Sequence, residues 1–266
     1  MKLKSLGYQT DLIFPGFEGE VTDCGSYIRV RTPQNPGFWW GNFLLFEGPP
    51  KAGDFERWTE LFRKEIGQPP ATEHMVFAWD ISQEKAVTHD FLEAGFKLEQ
   101  SVVMTAESVI KPANYNAQVQ IRSLEKDEDF SELLELEILV DKEFGFGGSD
   151  HRLFLKRKID RYRKMIDAGL GKWFAAYLDG KMVSYMGLFW QGRLARYQNV
   201  GTHPDYRRQG IAGTLVHYVG NYGLENIGVD YLVMIADQNY FAKDIYASVG
   251  FRETEYLEAL ELPPKT

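Results

Sequence analysis

Two stretches of the chain repeat one pattern, and this repeat constrains the fold more than any other feature of the sequence. Residues 75–80 (MVFAWD) form an apolar run that ends in an aspartate, and Gly95-Phe96 follows after a helix-like segment. Residues 232–237 (LVMIAD) and Gly250-Phe251 repeat this order. The aspartate and the phenylalanine are 16 residues apart in the first copy and 14 in the second. Such spacing indicates an internal duplication of one supersecondary unit.

A polar segment separates the two copies. Residues 110–116 contain Pro112 and Asn114, residue types that favour turns and loops over helix or strand. We therefore predict two domains, an N-terminal one over residues 1–112 and a C-terminal one over residues 117–266.

The hydrophobic pattern predicts a similar series of strands and helices in both halves. In the C-terminal half, strands are expected at 119–121, 173–178, 182–190, 194–202, 231–236 and from 251 or 252, and helices at 127–140, from a cap at 149 or 150 to 168, from 209 and at 239–248. In the N-terminal half, strands are expected at 27–32, 38–46, 75–79 and 96–104, and helices at 55–66 and 87–94. Asp179-Gly180 predicts a tight hairpin. Together these elements predict an α/β fold with a central mixed β-sheet flanked by helices.

Composition limits the classes of function. Acidic residues outnumber basic ones by 38 to 30, which gives a net charge of −8, and a nucleic-acid-binding protein normally has a basic excess. No apolar stretch approaches the roughly 18 residues that cross a bilayer, and residues 1–14 lack an export pattern. We therefore expect a cytoplasmic protein without a nucleic-acid or membrane partner. The lone Cys24 and five histidines without metal-ligand spacing predict no metal site.

The segment that carries most chemistry lies between a predicted strand and a predicted helix, at residues 200–213 (VGTHPDYRRQGIAG). Backbone N–H groups at a helix start are unpaired and carry a partial positive charge, so such a turn can hold a diphosphate. Gly210 allows the backbone to approach a phosphate closely, and Arg207 and Arg208 add cations with forked donors.

This turn resembles the diphosphate loop of the GNAT superfamily of N-acetyltransferases, which reads Arg/Gln-x-x-Gly-x-Gly/Ala. Arg207, Gly210 and Ala212 match that pattern at its spacing. A second stretch is similar to the helix and turn that complete the GNAT fold, and its matching residues are Asn239, Ala242, Tyr246, Gly250 and Phe251. The resemblance implies acetyl-CoA as the acyl donor, bound by Val200, Gly201, Thr202, Arg207, Arg208, Gln209, Gly210, Ile211, Ala212, Gly213, Asn239 and Tyr246.

The resemblance also implies catalytic roles. Backbone N–H groups near Val200 to Thr202 would face the thioester oxygen and stabilise the charge that develops there. Tyr246 stands at the family's usual general-acid position, and a phenol of pKa about 10 can protonate a departing thiolate. The alternative for Tyr246 is that it packs on the sheet with its hydroxyl on the cofactor. Asn239 either bonds the pantetheine or the adjacent strand, or caps the helix.

The general base is not given by the resemblance. Family members often carry a glutamate on the strand before the diphosphate loop, whereas residues 196–199 read RYQN here. Two alternatives are open, a water relay held by Gln198 or Asn199 and a distant carboxylate such as Glu143.

The N-terminal half looks like a degenerate GNAT-like domain. Where its phosphate turn would lie, the chain has Pro49 and Pro50, each of which removes an N–H donor. Phe91 stands at the place equivalent to Tyr246. We therefore expect one acetyl-CoA site per chain, in the C-terminal half.

The implied function is transfer of an acetyl group to a primary amine of an unidentified small-molecule or peptide acceptor by direct attack. A non-catalytic acyl-CoA-binding or regulatory module is one alternative, favoured by the missing base carboxylate. An acyltransferase for a longer acyl chain is another, because the aromatic content of 14% can line a wider tunnel. The oligomeric state is left open.

Overall fold

The structure is a computed structural model and describes residues 1–237 and 242–264. The described chain divides into two compact units. Unit 1 holds residues 1–103, 235–237 and 253–264, and unit 2 holds residues 104–234 and 242–252. The predicted division at residues 112 and 117 stays a prediction.

Helices are interspersed among strands that pair both in parallel and antiparallel, which confirms the predicted α/β fold class with a mixed β-sheet. The helices are α1 (Leu6–Asp11), α2 (Ile13–Glu18), α3 (Asp54–Glu65), α4 (His89–Glu93), α5 (Asp127–Asp141), α6 (Gly148–Asp167), α7 (Ile211–Asn221) and α8 (Ala242–Ser248). The strands are β1 (Glu20–Asp23), β2 (Tyr27–Arg31), β3 (Phe43–Phe46), β4 (Met75–Trp79), β5 (Lys97–Ala106), β6 (Gln120–Ser123), β7 (Gly171–Leu178), β8 (Lys181–Gln191), β9 (Leu194–Thr202), β10 (Tyr231–Asp237) and β11 (Arg252–Leu262). No described helix combines the length and the apolar character of a membrane span.

The sheet of unit 1 has the strand order β1-β2-β3-β4-β11-β5. Strands β3 and β4 are parallel, whereas β11 runs antiparallel to β4 with Leu260 opposite Phe77. The last strand of the chain thus lies between two strands from its N-terminal half. On this sheet packs an aromatic core that includes Phe46, Trp58 and Phe91.

The sheet of unit 2 has the order β10-β9-β8-β7-β6. Strands β6 to β9 are antiparallel neighbours, and β9 and β10 are parallel. Asp179 and Gly180 join β7 to β8, with φ angles of 51° and 79°. Positive φ at both central residues is the requirement of a type I′ turn, so the predicted hairpin is confirmed.

Two of the expected elements, the strand over residues 38–46 and the helix capped at 149 or 150, differ from the sequence-based expectation. Residues 38–46 were expected to form one strand, but residues 39–41 form a 3₁₀ turn and only Phe43–Phe46 are extended. Asn42 closes this turn, because its side-chain amide donates to the carbonyl oxygens of Asn35 and Phe38, at 2.8 Å each. Helix α6 begins after Gly147 with no side-chain cap, so Ser149 and Asp150 lie inside its first turn instead of capping it.

Candidate functional site

A β-bulge interrupts strand β9 at the centre of unit 2. Pairing with β8 passes from Gln198 opposite Gly187 to Gly201 opposite Tyr185, so Asn199 and Val200 together face a single residue of β8. Asn199 has φ 48°, which a residue other than glycine adopts rarely. A bulge of this kind leaves the extra residue without a ladder partner and redirects the backbone.

Strand β9 has a second neighbour over only part of its length. Parallel pairing with β10 runs from Leu194 opposite Tyr231 to Arg196 opposite Val233. Within the described part of unit 2, no pairing of β9 with β10 continues past Arg196, although β9 stays paired with β8 as far as Thr202. The bulge therefore lies where one edge of β9 has lost its strand neighbour, which is the position at which an extended ligand can hydrogen-bond to a strand.

A chain of polar side chains lies beside the bulge. The Gln198 amide nitrogen donates to the Tyr162 hydroxyl at 3.0 Å and to Asn199 Oδ1 at 3.3 Å. Asn199 Nδ2 in turn donates to Glu137 Oε1, also at 3.3 Å. The two residues that the sequence nominated as holders of a water relay are therefore hydrogen-bonded to each other and to a carboxylate.

Glu137 is the residue at this site that sequence reasoning did not find. It lies on α5 among apolar residues, and only 1% of its surface is exposed. A charged residue almost never lies fully buried unless it is paired. The position of Glu137 on the apolar face of a predicted helix could therefore have indicated a buried carboxylate with a partner. The carboxylate that the sequence of β9 lacks is thus supplied to the bulge from a helix.

Tyr185 packs across the bulge against Gly201. A Cβ built on Gly201 would lie 2.3 Å from the Tyr185 ring, so a glycine is required for this contact. Burial raises the pKa of Tyr185 well above its usual value, and the nearby carboxylates of Glu137 and Asp141 raise it further. Tyr185 is therefore a neutral hydroxyl group beside the bulge at ordinary pH.

The turn from β9 to α7 has the backbone of an anion-binding site. A 3₁₀ turn at Pro204–Tyr206 leads to Arg208 with φ 61° and to Gly210 with φ 74°, which is the N-cap of α7. No side chain caps the helix and its first turn contains no acidic residue. The N–H groups of Ile211, Ala212 and Gly213 are thus not satisfied by a capping side chain.

Residues before β6 cross the start of α7, which the sequence did not indicate. A Cβ on Gly210 would lie 1.7 Å from the Asn114 carbonyl oxygen, and one on Gly213 would lie 3.5 Å from the Pro112 ring. The Asn116 N–H donates to Thr214 Oγ1 at 2.8 Å. The close approach that glycine permits at position 210 is therefore made by Asn114, and a diphosphate would have to use the N–H groups beyond it.

The two arginines of the turn are placed differently. Arg207 is half-buried and forms an ion pair with Glu143, and its Nε donates to the Thr202 carbonyl oxygen at 3.3 Å. Arg208 is exposed. Glu143, one of the expected base candidates, is therefore already occupied by Arg207. Arg208 is therefore the more exposed of the two arginines.

Tyr246 lies on α8 and is 5% exposed. Its ring is 6.1 Å from that of Phe251, which also contacts Tyr197 at 5.2 Å. The Tyr197 hydroxyl has a structural partner, because it donates to the Val216 carbonyl oxygen at 2.9 Å. Asn239, the other residue expected on this segment, lies outside the described residues. The roles of the site residues stay predictions.

The fold of this chain is similar to that of several solved structures. The structure resembles that of a functionally unknown conserved protein from Staphylococcus epidermidis, with a TM-score of 0.70 and 15% identity over 93% of this chain and 95% of the other. A GCN5-related N-acetyltransferase from Kribbella flavida gives 0.67 and 14% over 97% and 94%. A tandem GNAT protein from the clavulanic acid biosynthesis pathway gives 0.51 and 15% over 79% and 69%. The chain thus has the fold of tandem GNAT proteins.

A family model matches part of the C-terminal half. Residues 169–253 match the model described as an acetyltransferase (GNAT) domain. The C-terminal half of the chain therefore contains a GNAT acetyltransferase domain, as the motifs at Arg207 to Ala212 and around Tyr246 implied. No curated protein matches the sequence.

Proposed function

We propose that unit 2 transfers an acetyl group from acetyl-CoA to a primary amine by direct attack. The observation that carries this proposal is the continuous segment from the bulge at Asn199 to the glycine-capped start of α7, inside the region that matches the GNAT domain. In this strand-turn-helix segment, the bulge would bind the thioester of the donor and the start of α7 would bind its diphosphate.

The start of α7 suits the diphosphate of the acyl donor. Its unpaired N–H groups and the helix dipole favour a negative charge, and no acidic side chain in the first turn opposes it. The exposed Arg208 adds a cation at the mouth of the turn. Asn114 covers Gly210. In this proposal the phosphate oxygens are therefore bound by the N–H groups of Ile211, Ala212 and Gly213.

The bulge suits the reacting end of the donor. Redirected N–H groups near Val200 and Gly201 stabilise the negative charge that develops on the thioester oxygen during attack. Fixed donors of this kind need no reorganisation at the moment of reaction. The Tyr246 hydroxyl then gives a proton to the departing thiolate, as its position in the motif implies.

Acetyl-CoA turnover tests the proposal. We expect the protein to bind acetyl-CoA in calorimetric titration with a stoichiometry of one and to release free CoA when primary amines are supplied. The Arg207→Ala, Arg208→Ala double variant should bind acetyl-CoA about tenfold or more weakly. It loses both the Arg208 cation at the mouth of the turn and the Arg207 side chain that holds the Thr202 backbone. Arg157→Ala, a change at an exposed arginine of α6, serves as the control. Absence of acetyl-CoA binding by the wild-type protein would overturn the proposal.

A non-catalytic acyl-CoA-binding module is the second candidate, and one observation favours it. Strand β9 carries no carboxylate before the turn, since its residues here are Arg196, Tyr197, Gln198 and Asn199. Such a module would bind acetyl-CoA with a stoichiometry of one but release no CoA with any amine. The two candidates therefore differ in turnover and agree in binding.

A further inference from the structure

The ammonium group of a lysine forms an ion pair with Glu137, the carboxylate beside the bulge. Lys158 Nζ on α6 lies 3.2 Å from Glu137 Oε2. The Glu137 side chain is 2% exposed, and its Oε2 has no hydrogen bond of good geometry to any described residue, so the ion pair alone satisfies it. A buried carboxylate oxygen that is matched in charge but not in hydrogen bonding leaves free energy to be gained by a better-placed donor.

The same carboxylate reaches the reaction site through its other oxygen. Glu137 Oε1 accepts the hydrogen bond from Asn199 Nδ2, and Asn199 is the bulge residue with positive φ. One carboxylate therefore holds a primary ammonium on one oxygen and the bulge on the other. An amine bound at Oε2 would therefore share its carboxylate with the bulge residue.

Lys158 has a way to leave. Its side chain is 17% exposed, in contrast to the buried carboxylate beneath it, and a lysine stem is flexible and strongly hydrated at its head. A Lys158 side chain turned into solvent would leave Glu137 Oε2 to another cation. The acceptor amine replaces one primary ammonium by another, so the buried charge is paired both before and after the exchange.

We propose, on the basis of the function proposed above, that Glu137 is the acceptor-binding carboxylate and that Lys158 occupies its place until a cationic primary amine displaces it. The acceptor ammonium donates hydrogen bonds to Glu137, which then takes one of its protons and becomes a carboxylic acid. The neutral nitrogen attacks the thioester carbon, the N–C bond forms and the C–S bond breaks. The thiolate takes its proton from Tyr246, which regains a proton from solvent. The second proton of the nitrogen, which has become an amide, and the proton held by Glu137 both leave to solvent.

The chemistry of the site defines the class of acceptor. The displacing group needs a positive charge to match Glu137 and N–H donors to satisfy Oε2. A primary alkylammonium has both, whereas a quaternary ammonium has the charge without the donors. The uncharged amide of a peptide has no charge to exchange for that of Lys158.

The displacement can be measured without turnover. In the protein labelled with ¹⁵N-lysine, the Nζ signal that is missing in Lys158→Met identifies Lys158. We expect n-butylammonium chloride to shift this signal to the position of a solvent-exposed lysine, while tetramethylammonium chloride at equal ionic strength leaves it in place. A signal that neither salt moves, or that both salts move equally, would show that the pair is only structural and overturn the proposal.

Kinetics with n-butylamine as acceptor separate the two residues. Lys158→Met removes the competing ammonium and should lower the KM for n-butylamine by about tenfold. The acceptor then binds Glu137 without first having to displace Lys158. Glu137→Gln keeps an oxygen for Asn199 but loses the charge, and should raise KM and lower kcat together. Lys156→Met and Glu135→Gln, exposed neighbours on the same helices, are the matched controls.

Acetyl-CoA affinity distinguishes failure of this inference from failure of the proposed function. Lys158→Met should bind acetyl-CoA as the wild type does in calorimetry, because the Lys158 ammonium pairs with Glu137 and not with the bulge or the start of α7. Normal acetyl-CoA binding with unchanged KM in Lys158→Met would overturn the acceptor site alone. Displacement of Lys158 by n-butylammonium in a protein that binds no acetyl-CoA would overturn the proposed function alone.

Discussion

The two units begin a helix in the same way and differ in what fills the turn. Gly53 before α3 and Gly210 before α7 are both left-handed, with φ 83° and 74°, and neither helix has a side-chain cap. The first turn of α3 contains its own anion, since Asp54 is 8% exposed and accepts the Lys51 N–H at 2.8 Å. The first turn of α7 contains none. A helix start is thus available to an external anion only where the chain has not supplied one.

The same contrast holds at the position of the proposed proton donor. Phe91 in unit 1 is 1% exposed and packs among aromatic rings, with Phe55 at 5.3 Å and Phe96 at 5.5 Å. Tyr246 in unit 2 is also buried but carries a hydroxyl. At this position of the repeated strand-helix pattern, unit 1 therefore has an apolar core residue, whereas unit 2 has a residue with a polar group.

The largest expected effect concerns this proton donor. Tyr246→Phe gives unit 2 the residue type that unit 1 already has, and should lower turnover roughly 10²-fold if a general acid is lost. Tyr197→Phe is the matched control, because it removes a buried hydroxyl that lies in the same neighbourhood and donates to the Val216 carbonyl oxygen. Steady-state kcat with n-butylamine is the measurement. Equal turnover in both variants would mean that solvent protonates the thiolate.

The next effect compares the two capping glycines. Alanine at either position must adopt a left-handed conformation, which costs about 1 kcal/mol or somewhat more. A Cβ at Gly53 meets nothing within 4 Å, whereas one at Gly210 meets the Asn114 carbonyl oxygen at 1.7 Å. Gly210→Ala should therefore lower the free energy of unfolding by about 2 kcal/mol more than Gly53→Ala in urea denaturation. Similar losses would show that Asn114 moves away without cost.

These two glycines also show how far sequence reasoning reaches. The left-handed turn at Gly210 follows from local sequence, because only neighbouring residues determine it. The approach of Asn114 does not, since 96 residues separate the two positions and no periodicity connects them. Local signals of the same kind predicted the hairpin at Asp179-Gly180 and both bounds of β9 and β4.

Contacts between distant segments account for what the sequence did not predict at the site. Glu137 and Asn199 are 62 residues apart, and Arg207 and Glu143 are 64 apart. The hydrophobic pattern predicted the helix that carries Glu137 but gave no reason to bring it to the bulge. The two short helices over residues 6–18 were also missed, because their six-residue lengths are too short for a helical period to emerge.

A third prediction makes the start of α7 resemble that of α3. Ala212→Asp places an anion in the first turn, where it should not destabilise the helix because of the dipole. It should weaken acetyl-CoA binding about tenfold, since a like charge a few ångströms from a phosphate costs about 1 kcal/mol or more. Ala212→Asn has nearly the same shape without the charge and should bind within about twofold of the wild type. Calorimetric affinities that rank the two variants equally would argue against a diphosphate at this turn.

The smallest effect is expected from removing the anion of unit 1. Asp54→Asn keeps an oxygen for the Lys51 N–H but loses the charge that faces the dipole of α3 and the ion pair with Arg57. The free energy of unfolding should fall by about 0.5 to 1 kcal/mol, and less at high salt, because screening weakens both interactions.

The stoichiometry of acetyl-CoA in Asp54→Asn decides what keeps unit 1 from binding it. We expect one acetyl-CoA per chain, as in the wild type, because Pro49 and Pro50 are buried beside the turn and provide no N–H donors even when Asp54 is neutralised. Native mass spectrometry at saturating acetyl-CoA measures this number directly. A value of two in the variant and one in the wild type would show that a single carboxylate separates the two turns, and that the prolines leave enough donors for a diphosphate.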